Sequence, residues 1–85
     1  MNMNNKTVKD YYQTSDLACA AVLSLSFPIE LVDRSDPRRA CFMFNRTENL
    51  DEFLKQYLRG ELRVEPRAFF NAIKTIKIRL YEPSR

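Results

Sequence analysis

The 85-residue sequence predicts an α+β fold, a small three-stranded, mainly antiparallel sheet with three helices in the order β-α-β-β-α-α. Three observations carry this. Pro66 to Tyr81 and Leu50 to Leu58 repeat apolar residues at a helical period. Ile29 to Asp33 and Arg39 to Asn45 are apolar runs on either side of a polar turn, the pattern of a hairpin. A content of 45% hydrophobic residues with one glycine excludes disorder over most of the length.

Residues 1–9 are polar and aperiodic and are expected to form a flexible N-terminal tail. Residues 10–82 make one globular domain, with 83–85 as a C-terminal tail. Tyr11-Tyr12-Gln13 fits a short strand or sheet edge. Thr14, Ser15 and Asp16 are three N-cap candidates ahead of Leu17-Ala18-Cys19-Ala20-Ala21-Val22-Leu23, which leaves almost no polar face and is expected to be the buried helix. Phe27-Pro28 closes it, because proline biases the residue before it away from the α region.

In the second hairpin strand Ala40, Phe42 and Phe44 share one face and Cys41 and Met43 the other. Both faces are expected to be at least partly covered, which makes this strand central. Asn49 and Glu52 have capping-box spacing at the start of the next helix. Its inner face is Leu50, Phe53, Leu54, Tyr57 and Leu58, and Asp51 with Lys55 forms an i,i+4 pair on the outside. Gly60 stands at the C′ position. In the last helix Pro66 suits the first position, and Phe69, Ala72, Ile73, Ile76 and Leu80 form the stripe that faces the core.

That last segment also holds the charge imbalance. From Glu61 onward there are six Lys or Arg against three Asp or Glu, whereas residues 1–60 hold eight of each, so the formal +3 arises entirely there. Arg67, Asn71, Lys74, Lys77 and Tyr81 fall on one side of the helix, joined by Phe70 and Ile78.

Several chemistries are excluded or disfavoured. Without histidine the commonest general base and metal ligand is absent, and two cysteines alone do not make a structural zinc site. One glycine rules out Walker-type and dinucleotide-binding loops. Glu30, Asp33 and Asp36 are the nearest approach to a carboxylate cluster, on a strand and turn that are ordinarily solvated. Cys19 and Cys41 read as packing residues, with no CxxC spacing to lower a thiol pKa. No cofactor, metal or membrane span is expected, and the protein is taken to be cytoplasmic and non-enzymatic.

At Thr14-Ser15-Asp16-Leu17-Ala18 and at Glu65-Pro66-Arg67-Ala68-Phe69-Phe70-Asn71-Ala72 the chain resembles an uncharacterised family of small bacterial and phage proteins. The family's pattern is T-S-D-L-A, a hairpin with a basic second strand, and D-P-R-x-F-F-N-A near the end; Glu65 replaces the commoner Asp. The resemblance spans about residues 11–81. It implies one compact domain and a bacterial or viral origin, and it carries over no catalytic or binding residue.

The leading functional expectation is contact with DNA or RNA through Arg63, Arg67, Asn71, Lys74, Lys77 and Arg79. The alternative is a partner protein or a homodimer contacting Phe70, Ile78 and Tyr81 on the same helix. A solvated face whose cations pair with Glu61, Glu65 or Glu82 is the plain structural reading. Tyr11 and Tyr12 as a base-stacking platform compete with their simpler role at a sheet edge.

Overall fold

A computed structural model describes residues 10–36 and 38–81. The tails expected at 1–9 and 83–85 lie outside the described residues. The order is the expected one: β1 (Tyr11–Thr14), α1 (Leu17–Ser24), β2 (Ile29–Asp33), β3 (Cys41–Asn45), α2 (Glu48–Leu58) and α3 (Pro66–Tyr81).

Strand gives way to helix within three residues because their side chains take over the backbone donors. Thr14 Oγ1 accepts the Asp16 N–H at 3.1 Å, and the Asp16 carboxylate accepts those of Ala18 and Cys19 at 2.9 and 3.3 Å. Asp16 is therefore the N-cap of α1, satisfying donors that a helix start leaves without partners. Cys19 to Leu23 are all buried. Five consecutive residues encircle a helix, so α1 is covered on every side.

One side of that cover is the sheet. Its strand order is β1-β3-β2, both pairings antiparallel, and β3 is central as expected. The register lines up Tyr12, Phe44 and Ile29 in one row and Thr14, Phe42 and Val32 in the next. Phe42 and Phe44 are almost wholly inaccessible, and they join Leu23, Leu50 and Ile76 in the core. Alternation along β3 places Cys41 and Met43 on the other face. Met43 is buried there, while its row neighbours Gln13 and Leu31 are exposed. An irregularity between Ile29 and Leu31 leaves Glu30 outside the register. β3 begins two residues later than expected, so Arg39 and Ala40 belong to the loop.

α2 departs from expectation in three places. Its N-cap is Thr47, whose Oγ1 accepts the Leu50 N–H at 3.1 Å, and not Asn49. Both residues are competent caps, and the earlier start is the one that carries Leu50 and Leu54 into the core. Asp51 pairs with Arg46 at 3.2 Å instead of with Lys55. Leu58, expected inside, is 77% exposed, because the helix closes one residue later and the chain turns away. That closure matches the Gly60 expectation. At φ 72°, glycine allows its own N–H to reach Tyr57 O at 3.0 Å and the Glu61 N–H to reach Gln56 O at 2.9 Å, the paired bonds of a Schellman end.

α3 starts at Pro66, and the Glu65 side chain accepts the Ala68 N–H at 2.7 Å. Ile76 is fully buried, while Phe69, Ala72, Ile73 and Leu80 pack half-buried around the core. α1 packs chiefly against α3, and also against α2 and β1. Phe27 meets Phe53 edge-on at 5.5 Å between centroids, tying the α1–β2 turn to α2.

Truncating the sheet's central aromatic should cost far more than removing a cap. Urea unfolding followed by circular dichroism is expected to show a loss of about 3–5 kcal/mol for Phe44→Ala against about 1 kcal/mol for Asp16→Ala. Equal losses would mean that the core is not centred on β3.

Candidate functional site

Packing decides which side of α3 is available. With Ile76 and its half-buried neighbours turned to the core, the opposite side is left to solvent, and Arg67, Phe70, Asn71, Lys74, Lys77, Ile78 and Tyr81 are all exposed. At about 1.5 Å per residue the stretch from Arg67 to Tyr81 is about 21 Å long. Phe70, Ile78 and Tyr81 are 60, 66 and 79% exposed, so apolar surface is interleaved with charge. Lys74 Nζ lies 4.9 Å from the Phe70 ring centroid, within reach of a cation–π contact.

The cations on this face have no ion pair among the described residues, where the pairs are Arg46 with Asp51 and Arg59 with Glu61 at 3.8 Å. Two acids that could have neutralised them are placed otherwise: Glu61 pairs with Arg59 and Glu65 caps the helix, while Glu82 is outside the described residues. Arg63 is exposed on the segment leading into α3.

Arg79 is not part of the face. Five residues beyond Lys74 and two beyond Lys77, it is rotated by about 140–160° from each. It is half-buried and lines a groove of about 470 Å³ with Leu25, Pro28, Ile29, Ala72 and Thr75. Its carbonyl accepts a hydrogen bond from Arg34 Nη2. A cation in the last turn also suits the negative pole of the helix.

The tyrosine pair does not form a stacking platform. Tyr11 and Tyr12 are adjacent on a strand and face opposite sides of the sheet. Tyr12 faces the core, where its hydroxyl lies 3.9 Å from Cys19 Sγ and burial raises its pKa, with Cys19 adding to the effect. The loop carboxylates likewise serve the backbone. Asp33 accepts the Ser35 N–H and Asp36 the Arg38 N–H, each at 2.9 Å. Those bonds from Ser35 hold Asp33 below the ordinary carboxylate range. Among the described residues no three Cys, Asp or Glu gather as a metal site, and no helix is long and apolar enough to cross a membrane.

One basic group went unseen in the sequence. Arg34, Arg38 and Arg39 of the β2–β3 loop face the end of α3 across a cleft that Tyr81 also lines. The signal was the arginine density of R-S-D-P-R-R, obscured because Arg39 was placed in the strand.

Cys19 and Cys41 are both free. Cys19 is buried in α1, and burial pushes its thiol up, against the lowering effect of hydrogen bonds from Tyr12 and Thr14. Cys41 is half-buried, with Sγ 3.4 Å from Ser15 Oγ. Thiol labelling at neutral pH should therefore modify Cys41 well before Cys19, with both reacting promptly in urea. Prompt native labelling of Cys19 would contradict its burial.

A family model described as a domain of unknown function (DUF5659) matches residues 9–82. No curated protein and no solved structure matches the chain.

Proposed function

We propose a function from the surface of this chain, which belongs to the DUF5659 family, a domain of unknown function: a small non-enzymatic module that binds single-stranded nucleic acid along the outer face of α3. The observation that carries this reading is the row Arg67, Lys74 and Lys77. These side chains are exposed and have no ion pair among the described residues.

Phosphates are spaced regularly and carry one charge each, so cations along a rigid rod are suited to them, and the exposed Arg63 on the segment before the helix is a further cation. The exposed rings of Phe70 and Tyr81 favour a single strand, whose unpaired bases can stack on aromatic faces. Asn71 supplies a neutral hydrogen-bonding group between them. The reading places the protein in the cytoplasm, where two free thiols stay reduced.

The same exposed Phe70, Ile78 and Tyr81 would suit a protein surface, but a two-fold homodimer through α3 would set the lysine row against its own copy. Like charges facing one another across an interface oppose association. A polyanion meets no such penalty.

Fluorescence anisotropy with a labelled ten-nucleotide strand tests the reading. Affinity should fall steeply as salt rises. In Lys74→Glu/Lys77→Glu the slope of log K against log salt should shrink by about 1.4, at about 0.7 for each phosphate no longer neutralised. Binding that ignores salt, or a double variant that binds as the wild type does, would remove the proposal.

A further inference from the structure

The β2–β3 loop and the last turn of α3 line a cleft of about 390 Å³, bounded by Arg34, Asp36, Arg38, Arg39, Leu80 and Tyr81. Three guanidinium groups meet one carboxylate there. Asp36 accepts the Arg38 backbone N–H and makes no ion pair with the arginine side chains among the described residues.

The arginines divide into two roles. Arg34 belongs to the helix: by donating to the Arg79 carbonyl it counters the negative pole that α3 would otherwise present to an anion. Its Nε is buried, with no hydrogen-bond partner among the described residues. Arg38 and Arg39 are exposed on the loop and have no ion pair among the described residues. Guanidinium forks of this kind match phosphate oxygens in pairs. The exposed ring of Tyr81 lines the same cleft from the α3 side.

We propose that this cleft is a nucleotide subsite, in which Arg38 and Arg39 hold a phosphate and the Tyr81 ring stacks on the attached base. Phosphate beside a planar base is chemistry shared by a free nucleotide and by one unit of a strand. Because Tyr81 also ends the exposed face of α3, a strand lying along that helix would run into the cleft. In that form the inference rests on the reading of α3 given above.

The test uses the full chain with two probes, adenosine monophosphate followed by amide chemical shifts and the labelled ten-nucleotide strand followed by anisotropy at several salt concentrations. Arg38→Ala/Arg39→Ala should reduce the salt slope for the strand by about 1.4 and abolish the shifts caused by the mononucleotide. Tyr81→Ala should weaken strand binding about tenfold with the slope unchanged. These positions are exposed, so unchanged circular dichroism is expected in every variant.

Shifts from both probes at Arg38, Arg39 and Tyr81 support a subsite that takes the nucleotide alone. Shifts from the strand only support one that works as part of a longer contact. Wild-type affinity and slope in Arg38→Ala/Arg39→Ala, with no mononucleotide shifts at the loop, would overturn the subsite even if Lys74→Glu/Lys77→Glu lost binding and so upheld α3. Binding lost in the loop variant but kept in the lysine variant would do the reverse. If the wild type bound neither probe, both readings would fail.

Discussion

The constraint on which the molecule depends is that α1 has no side that water should touch. Five consecutive buried residues from Cys19 to Leu23 oblige the rest of the chain to surround one short helix. A chain of this size has little apolar area to spare for that. Phe42 and Phe44 close one side, Leu50 and Leu54 of α2 another, and Ile76 of α3 a third. Small residues at Ala20 and Ala21, both fully buried, allow the neighbouring elements to come close.

This enclosure sets what remains for function. α3 spends one stripe on α1, and among the described residues no element lies over the opposite side, where its lysines and exposed aromatics fall. The charge follows the same division. Carboxylates that would neutralise a solvated helix are used in caps, turns and pairs elsewhere: Asp16 and Glu65 at helix starts, Asp33 and Asp36 in the loop, and Asp51 on Arg46. The result is a row of cations beside apolar surface, a combination that stability alone does not require.

Much of the fold was legible because its signals are local. Period, capping chemistry, one glycine and Pro66 located every element, and the two-faced pattern of β3 identified the central strand. Errors arose where two local choices were equally good and packing chose between them. Thr47 and Asn49 are both sound caps, and Asp51 had both Lys55 and Arg46 within reach. Leu58 has the right residue type for a core, but the Schellman end places it outside. The exposed face of α3 followed from the helical period as well. The same period turns Arg79 away from that face, whereas the bond from Arg34 to its carbonyl, 45 residues away in sequence, was not legible. The cleft between the loop and α3 is a tertiary juxtaposition that periodicity does not encode.

The central claim is that α3 is divided lengthwise, with one side committed to α1 and the other open to a polyanion. Amide chemical shifts recorded while a single strand is titrated into the labelled protein test this most directly. The account predicts movement at Arg67, Phe70, Asn71, Lys74, Lys77 and Tyr81, with Ile76 and the α1 amides unmoved. Movement confined to the outer face of the sheet around Gln13, Leu31 and Met43, or none anywhere, would contradict it.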